Sequence, residues 1–441
     1  MQKKVSLISL GCDKNRVDAE KMLYLVKSAG YSLCDDLSGS EIIIVNTCAF
    51  IKDASEEAIN AILEVAEFKK TGKCEKLVVA GCFASKHSND VFHDLHEVDA
   101  FVGTNSFGNI VHVLKKLYDT DERIISNEAI NNVAIKGRIQ TTPLHYAHLK
   151  ISDGCDNHCT FCTIPQIKGG FRSEKLSNLI DETKGLIDNG VKELIIVGQD
   201  VTSYGKDFGS YQLLKLLDEL TKLDLTWIRL MYCYPELVTK DLIKAIDENK
   251  KIAKYIDIPM QHSHDDILRK MNRQSNRKNL EQLLFELKST KNKIAVRSTF
   301  ITGFPSETEK HFEDLYDFIK EHSIEHVGIF SYSKEEGTPA YSMKGHLSEK
   351  IKNERANALR ELHFKNSFKN NEHYIGKTFK VLYEDIDYER NLFVGRTEFN
   401  APEIDTNVLF SAPEVEVGTF YEVKITGLSE EGYDLMGEIS E

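Results

Sequence analysis

The stretch that decides the fold of this chain reads Gly154-Cys155-Asp156-Asn157-His158-Cys159-Thr160-Phe161-Cys162. Its cysteines have the spacing C-x3-C-x2-C. Three thiolates on one short loop can bind three irons of a cubane 4Fe–4S cluster and leave the fourth iron open to a small molecule. An open iron indicates chemistry at the cluster rather than electron carriage alone. Zinc is the alternative metal. Zinc sites favour two paired C-x2-4-C units, however, and the chain has no second unit of this kind.

Three further cysteines each follow an apolar run near the N-terminus. These runs are predicted strands at 5–10, 41–45 and 76–80, with helical segments between them, and the cysteines after them are Cys12, Cys48 and Cys82. The alternation of strands and helices predicts a parallel sheet, whose carboxyl edge is where ligands bind. The three thiols are therefore predicted to converge on a second cluster. The alternative is three unrelated cysteines packed as small apolar residues, which is the interpretation given to Cys34, Cys74 and Cys233.

Length and composition limit the possible classes of protein. A chain of 441 residues with 41% apolar residues is long enough for two to four globular domains. No apolar run reaches the ~20 residues of a membrane-spanning helix, and the N-terminus lacks the pattern of a signal peptide. Nine cysteines in such a chain are expected to be thiols or metal ligands in a reducing compartment. We therefore predict a cytoplasmic protein with no membrane partner.

The middle of the chain repeats a strand–helix pattern six times. A polar segment at 121–142 is interpreted as a linker, and strands are predicted at 145–152, 192–198, 226–232, 255–259, 294–302 and 325–331. Six such units predict a partial (β/α)6 barrel, and the carboxyl ends of its strands are expected to carry the chemistry. Gln261 and His262 follow the fourth strand, where they either position substrate or, in the case of the loop histidine, serve as a solvated or capping residue. Gly303 follows the fifth, where it either admits a ligand or completes a tight turn.

The last 70 residues change to short alternating segments, which predict a small five-stranded β-barrel. From residue 367 to 441 there are six Lys and Arg against sixteen Asp and Glu, a net charge of −10 out of −13 for the whole chain. Acids such as Glu384, Asp385, Asp387 and Glu389 are expected on its surface. An acidic barrel repels phosphate backbones and attracts a basic protein, unless its charge serves solubility alone.

Taken together, these features resemble the methylthiotransferase family of radical S-adenosylmethionine (SAM) enzymes, over essentially the whole chain. The motifs that carry the resemblance are Gly11-Cys12, Asn46-Thr47-Cys48, Gly81-Cys82, the loop from Cys155 to Cys162, Gly198-Gln199-Asp200, Gly303-Phe304-Pro305 and Glu336-Gly337-Thr338-Pro339-Ala340. Two further segments are similar to the branch that modifies an aspartate of ribosomal protein S twelve: residues 12–20, and Gly395-Arg396-Thr397 with Ala401-Pro402-Glu403-Ile404-Asp405. The sequence departs from the usual form of that branch at Asp13 and Ala19, neither of which is a predicted ligand.

The resemblance implies three domains: an N-terminal α/β domain at 1–125, a radical SAM partial barrel at 140–366 and a β-barrel called TRAM at 367–441. It implies two 4Fe–4S clusters and SAM as cofactors. The cluster on Cys155, Cys159 and Cys162 would cleave SAM to a radical that takes hydrogen from the aspartate β-carbon, and the cluster on Cys12, Cys48 and Cys82 would deliver methylated sulfur. Phe161 and Gly303 are the predicted SAM-binding residues. An electron donor and a sulfur source are further implied partners.

Two other functions remain open at this point. A tRNA adenosine methylthiotransferase would use the same chemistry, although the acidic barrel makes tRNA an unfavourable partner. A non-enzymatic iron–sulfur carrier is the second alternative, and two trios of cysteines that each leave an iron open argue against it.

Overall fold

The computed structural model describes residues 3–128, 135, 137–430 and 432–440, which divide into two compact units. The first unit contains the described residues up to 142, together with 148–185 and 333–338. The second contains residues 143–147, 186–332 and those from 339 onward. The three domain ranges expected from the sequence stay a prediction.

The first unit is built on a six-stranded parallel sheet in the order β2-β1-β3-β4-β5-β6. Its strands are β1 (Lys4–Ser9), β2 (Ser32–Leu33), β3 (Ile42–Thr47), β4 (Lys76–Gly81), β5 (Ala100–Gly103) and β6 (Ile124–Ser126). The helices between them are α1 (Asp13–Ser28), α2 (Lys52–Ala66), α3 (Phe68–Thr71), α4 (Cys82–Val91) and α5 (Ile110–Asp119).

Strands β3 and β4 are buried along their whole length because helices cover both faces of the sheet. Ile43 and Val45 belong to the hydrophobic core on one face, and Ile42 and Ile44 belong to the core on the other. Parallel strands buried on both faces lack the polar alternation of a half-exposed strand. This explains why continuous apolar runs were sufficient to predict these strands.

Two predictions for this part of the chain are corrected. The sheet has three strands more than the three predicted, because β2, β5 and β6 are only two to four residues long. The predicted linker at 121–142 contains β6, which pairs in parallel with β5. The rest of that linker includes residues 129–134 and 136, which lie outside the described residues.

The chain continues with β7 (Tyr146–Lys150), whose first residues belong to the second unit and whose last residues belong to the first. The first unit then contains the short antiparallel pair β8 (Ser152–Asp153) and β9 (Arg172–Ser173) on either side of helix α6 (Ile164–Lys168). Helix α7 (Leu176–Asp188) follows them. The predicted cysteine loop lies between β8 and α6.

The second unit contains a sheet in the order β14-β13-β12-β11-β10-β7, in which the neighbours from β10 to β14 are parallel. The strands after β7 are β10 (Glu193–Val197), β11 (Trp227–Leu230), β12 (Ile252–Asp257), β13 (Ala295–Thr302) and β14 (His326–Ser331). Its helices are α8 (Leu213–Thr221), α9 (Lys240–Glu248), α10 (Asp265–Lys270), α11 (Arg277–Lys288), α12 (Glu309–His322) and α13 (Glu349–Glu372). The six predicted strands are thus all present.

The C-terminal strands close into a five-stranded barrel in the order β15-β16-β17-β19-β18. They are β15 (Thr378–Asp387), β16 (Leu392–Arg396), β17 (Val408–Ser411), β18 (Phe420–Leu428) and β19 (Leu435–Ile439). All pairs are antiparallel except β17 with β19. The predicted fold class, a parallel α/β sheet followed by a six-unit partial barrel and a small β-barrel, is therefore confirmed.

The sequence predicted that the acids of this barrel face solvent, but not all of them do. Glu384 is mostly buried against Arg396 and His145, and Asp387 accepts hydrogen bonds from the backbone of the turn that follows it. Asp385 and Glu389 are exposed. Separately, none of the described helices is both long enough and apolar enough to cross a membrane.

Candidate iron–sulfur sites

The three N-terminal cysteines lie at one edge of the first unit's sheet. Cys12 is the residue before helix α1, Cys48 directly follows β3, and Cys82 directly follows β4 as the first residue of α4. Strands β1, β3 and β4 are adjacent and parallel, so their carboxyl ends lie side by side. The structure thus brings together the trio that the sequence predicted to converge.

Two glycines allow the cysteine loops to approach one another. Gly11 has φ +91°, and a Cβ there would lie 2.7 Å from Cβ and 3.3 Å from Sγ of Cys48. Gly81 has φ +92°, and a Cβ there would lie 2.6 Å from Oδ1 of Asn46. L-residues with side chains rarely adopt this conformation. The Gly-Cys pairs that introduce Cys12 and Cys82 are therefore required by close packing at the site.

Asn15 is a site residue that the sequence analysis did not single out. Its Nδ2 donates to the Thr47 carbonyl at 2.7 Å, next to Cys48, and the Cys82 Sγ lies 3.8 Å from its Oδ1. The Asn46 Nδ2 in turn donates to the Asn15 carbonyl at 2.9 Å. One asparagine near the start of α1 thus connects the loops that carry the trio. Its position three residues after Cys12 was the available signal.

The thiols of this trio influence one another electrostatically. Burial raises the pKa of Cys48, and the neighbouring Cys12 raises it further. Burial also raises the pKa of Cys82 to about 12, with contributions from Cys48 and Cys12 that are opposed by the ammonium of Lys168. Three thiolates crowded in a desolvated edge repel each other unless cationic iron neutralises them. This donor set fits a metal cluster.

A single zinc ion requires its sulfur ligands to lie close to one another. Tetrahedral zinc with Zn–S bonds of about 2.3 Å would hold thiolate sulfurs roughly 4 Å apart. Throughout the described part of the chain, the one group of three ligand atoms lying within 4.8 Å of one another contains no cysteine; it is His264, Asp266 and His311. The three sulfurs of neither trio therefore all lie within 4.8 Å of one another.

The histidine group itself has another explanation. The Nδ1 atom of His264 accepts a hydrogen bond from the Asp266 backbone at 3.2 Å, and Nδ1 of His311 accepts one from the Thr308 backbone at 3.2 Å. A neutral ring that accepts at Nδ1 carries its proton on Nε2 and offers no lone pair there to a metal. These histidines cap helices α10 and α12.

The second trio lies on the loop between β8 and α6. The Cys155 N–H donates to the Gly169 carbonyl at 3.3 Å, and the Cys162 N–H donates to the Cys159 carbonyl at 3.0 Å, so the loop folds back on itself. Two sulfurs accept backbone hydrogen bonds. The Asn157 N–H donates to Cys155 Sγ at 3.5 Å, and the Ile164 N–H donates to Cys162 Sγ at 3.4 Å. Such hydrogen bonds to sulfur are typical of cluster ligands. All three cysteines are partly exposed.

The two predicted SAM-binding residues lie in different units. Phe161 is half-buried between the second and third cysteines of the loop. Gly303 has φ +78°; its N–H donates to Glu307 at 2.9 Å, and the side chain of Lys352 packs over its α-carbon. The turn and the Glu307 hydrogen bond account for this glycine structurally, and the SAM-binding role of both residues stays a prediction.

His262 is not solvated, which leaves a capping role and a substrate-positioning role as its interpretations. Its side chain is fully buried, Nδ1 accepts from the His264 backbone at 3.0 Å, and Nε2 lies 3.6 Å from Glu307. Gln261 has φ +73° and forms a parallel bridge with Phe300 of β13. These contacts make the segment after β12 part of the sheet's edge. A substrate-positioning role for it stays a prediction.

Sequence reasoning also missed a cluster of four charges in the first unit, three of them buried and one, Asp153, partly exposed; we call it the charge quartet: Lys150, Lys168, Asp18 and Asp153. Its members are far apart in sequence, and no spacing between them could have identified them. They meet only because helix α1 and the segments on either side of the cysteine loop fold into one unit.

Comparison with known protein families agrees with this architecture. Residues 149–319 match the model of the Radical SAM superfamily, and residues 375–439 match the TRAM domain. Residues 4–103 match the model described as Uncharacterized protein family UPF0004. The fold and the cysteine loop therefore define a radical SAM enzyme.

Full-length relatives narrow the class to one family. The ribosomal protein uS12 methylthiotransferase RimO of Thermoanaerobacter sp. is 42% identical over 441 residues, covering 99% of this chain and 100% of the relative. RimO of Lachnoclostridium phytofermentans is 43% identical, covering 98% and 99%, and RimO of Clostridioides difficile is 42% identical, covering 99% and 98%. The chain belongs to the RimO family of methylthiotransferases. It is a transferase that uses 4Fe–4S clusters and SAM.

Solved structures support the fold alone. The radical SAM methyltransferase TsrM of Kitasatospora setae, solved with cobalamin and a 4Fe–4S cluster, aligns with a TM-score of 0.57 at 13% identity over 77% of each chain. The cobalamin-dependent SAM radical enzyme OxsB aligns with a TM-score of 0.53 at 13% identity, covering 82% of this chain and 56% of OxsB.

Proposed function

We propose that this protein transfers a methylthio group to the β-carbon of an aspartate in ribosomal protein uS12, the small-subunit protein S twelve. The observation that carries the proposal is that both cysteine trios belong to one compact unit. Within that unit, Lys168 is electrostatically coupled to Cys12 and Cys82 and forms an ion pair with Asp153, two residues before Cys155. A reaction that needs both a radical and a sulfur donor requires two such sites close together.

The proposed ligands are the two cysteine trios. Cys155, Cys159 and Cys162 would hold one 4Fe–4S cluster, and Cys12, Cys48 and Cys82 would hold the other. When bound, the clusters and SAM supply reductive radical formation and the methylated sulfur. The protein's own residues position and shield these groups: Asn15 fixes the loops of the first trio, and backbone N–H groups hold the sulfurs of the second. Phe161 and Gly303 are proposed to contact SAM.

The substrate assignment has two supports. The relatives that cover the full chain are named for ribosomal protein uS12. Independently, the described barrel residues 375–439 present eight exposed acids and four exposed bases, which favours a basic protein over tRNA. The exposed acids are Asp385, Glu389, Glu403, Glu414, Glu416, Glu422, Glu430 and Glu438.

The remaining parts of the proposal follow from this function. The barrel at 367–441 would recruit the substrate, the region 140–366 would bind SAM, and the region 1–125 would carry the sulfur-delivering cluster. A separate electron donor and a sulfur source are required partners, because the reaction consumes both. We place the protein in the cytoplasm, with no membrane partner.

The test is a reaction of the reconstituted protein with purified uS12, SAM, sulfide and a chemical reductant under anaerobic conditions. We expect mass spectrometry to find one added methylthio group on an aspartate of uS12, and none when total tRNA replaces it. Cys12→Ala serves as the control that retains the radical site. Modified adenosine in tRNA with unmodified uS12 would instead establish the tRNA alternative. Release of no 5′-deoxyadenosine under any condition would point to an iron–sulfur carrier.

A further inference from the structure

Residues 333–338, which we call the strap, belong to the first unit although the chain on either side of them belongs to the second. The strap carries a buried carboxylate, that of Glu335, which is only 5% exposed. Its Oε2 lies 3.1 Å from Nζ of Lys86, and its Oε1 accepts from the Lys52 N–H at 2.7 Å and from the Ser333 hydroxyl at 2.6 Å. Both oxygens therefore have partners, and the buried negative charge is compensated by a largely buried cation.

Glu335 caps a helix that has no cap of its own. Helix α2 begins at Lys52, and the residue before it is Ile51, whose side chain accepts no hydrogen bond. The first N–H groups of a helix need acceptors from outside the helix, and a carboxylate there also interacts favourably with the helix dipole. Glu335 supplies this acceptor from 283 residues further along the chain. The start of α2, four residues after Cys48, is thus held by the strap.

The same carboxylate connects the segments that follow two cysteines of the N-terminal trio. Lys86 lies on helix α4, whose first residue is Cys82. Its Nζ donates both to Glu335 and, at 3.2 Å, to the carbonyl of Ala49, the residue directly after Cys48. One buried ion pair therefore joins the strap to the Cys48 loop and to the Cys82 helix.

Helix α6, which follows the second trio, contacts both the strap and the Cys48 loop. Thr163 comes directly after Cys162, and its hydroxyl donates to the Phe50 carbonyl at 3.1 Å. The side-chain amide of Gln166 donates to the Gly337 carbonyl. Gly337 has φ +79°, and a Cβ there would lie 2.9 Å from the Gln166 side chain, so a glycine is needed for this approach. The Cys48 loop, the strap and α6 thus form a closed ring of contacts within one unit.

We propose that Glu335 is a positioning residue that holds the loop after Cys48 at a fixed place relative to the second trio, and so couples sulfur delivery to radical formation. The inference rests on the proposed function, which gives each trio a separate task. A reaction between two sites depends steeply on their alignment, and a displacement of about 1 Å can cost ~100-fold in rate. Loss of Glu335 removes the cap of α2 and the partner of Lys86. It leaves the backbone hydrogen bonds to Cys155 and Cys162 in place.

The first measurement uses the full-length protein without clusters, so that it does not depend on activity. Hydrogen–deuterium exchange with mass spectrometry is compared for wild type, Glu335→Ala and the matched control Glu336→Ala, which removes the exposed acid next to Glu335. We expect backbone amides at residues 52–56 to exchange ~10-fold faster or more in Glu335→Ala, because the start of α2 opens locally. The control is expected to match wild type. Unchanged exchange in Glu335→Ala would overturn the inference.

The second measurement uses the reconstituted proteins with SAM, reductant, sulfide and uS12. In Glu335→Ala we expect 5′-deoxyadenosine within about two-fold of wild type, and modified uS12 per 5′-deoxyadenosine lower by ~10-fold or more. Glu335→Gln keeps an acceptor for the Lys52 N–H but no charge, and its ratio is expected between those of wild type and Glu335→Ala. If Glu335→Ala does not fold, Glu335→Gln decides by the same ratio.

A merely structural role gives a different result. Iron content, 5′-deoxyadenosine and modified uS12 would then fall together in Glu335→Ala, and their unchanged ratio would overturn the inference while the proposed function stands. Wild-type protein that binds iron but modifies no uS12 would instead overturn the proposed function, and the inference with it. The two failures are distinguishable because the second is seen in wild type before any variant is compared.

Discussion

The Nη2 atom of Arg396 lies 2.7 Å from Oε2 of Glu193, and both side chains are at most 1% exposed. Arg396 ends barrel strand β16, and Glu193 begins strand β10 of the second unit's sheet. The other oxygen of Glu193 accepts from Arg229 at 2.7 Å, and Arg396 also pairs with Glu384. The Gly395-Arg396-Thr397 motif is part of the family resemblance. Its arginine therefore connects the barrel to the sheet within this unit.

Replacing Arg396 by Met is expected to destabilise the second unit by about 3 kcal/mol or more, because it leaves the buried carboxylates of Glu193 and Glu384 partly uncompensated. The measurement is urea unfolding followed by fluorescence of Trp227, whose ring packs edge-on against Phe420 of the barrel. Arg390→Met is the matched control, since Arg390 forms an exposed pair and should cost less than about 1 kcal/mol. Equal costs for the two variants would contradict the assigned role.

Acid should weaken the same connection. Burial acts to raise the pKa of Glu384, but Arg396 and His145 lower it to about 2. A depressed carboxyl pKa stabilises the fold above the unfolded-state pKa, and this contribution is lost as the pH falls towards the folded-state value. At pH 7 the stability difference between wild type and Glu384→Gln should be about 3 kcal/mol, and it should shrink by about 1 kcal/mol at pH 4. A difference that grows on acidification would be the opposite sign and would refute this.

Two independent clusters should be visible in the iron content. Anaerobic reconstitution is expected to give about eight irons per chain, from two cubanes of four. Replacement of Cys155, Cys159 and Cys162 by Ala should halve the iron and leave a spectroscopically intact N-terminal cluster. The control is replacement of Cys34 and Cys74, which belong to neither trio and should leave the iron content unchanged. Loss of all iron in the triple variant would mean that the trios are not separate sites.

The two trios should also differ in the reactions they support. Cys12→Ala is expected to cleave SAM reductively but to transfer no methylthio group, and Cys159→Ala should do neither. The physical reason is that the two cysteines belong to different trios, of which only the loop trio is expected to form the radical. Quantification of 5′-deoxyadenosine and of modified uS12 in the same reaction gives both readouts. Equal loss of SAM cleavage in both variants would rule out this division.

The exposed acids of the barrel should increase capture of a basic substrate. Asp385→Lys with Glu389→Lys is expected to weaken association with uS12 several-fold at low salt and progressively less as salt rises, because salt screens exposed charges over ~8 Å. SAM cleavage should be unchanged. The matched control, Glu64→Lys with Glu248→Lys, changes the same charge at exposed positions outside the barrel. If the control pair weakens binding equally, net charge rather than the barrel surface is responsible, and tighter binding to tRNA would favour the other substrate class.

The sequence by itself determined the elements that depend on local pattern. Mainly apolar runs predicted β3 and β4 to within two residues at each end, because strands buried on both faces lack a regular polar alternation. The cysteine loop was readable because its three ligands lie within eight residues, and Cys12, Cys48 and Cys82 were found because each follows a strand. Short strands such as β6 escaped detection, since three residues carry too little periodicity.

Only the tertiary structure decided which charges are buried and with whom they pair. Sequence places Glu384 and Asp385 side by side as apparent surface acids, yet one faces the buried guanidinium of Arg396 and the other faces solvent, because the strand register is irregular between Tyr383 and Asp385. Lys168 and Asp18 are 150 residues apart and meet only on folding. Interactions between distant residues leave no local pattern, so their partners cannot be predicted from one sequence.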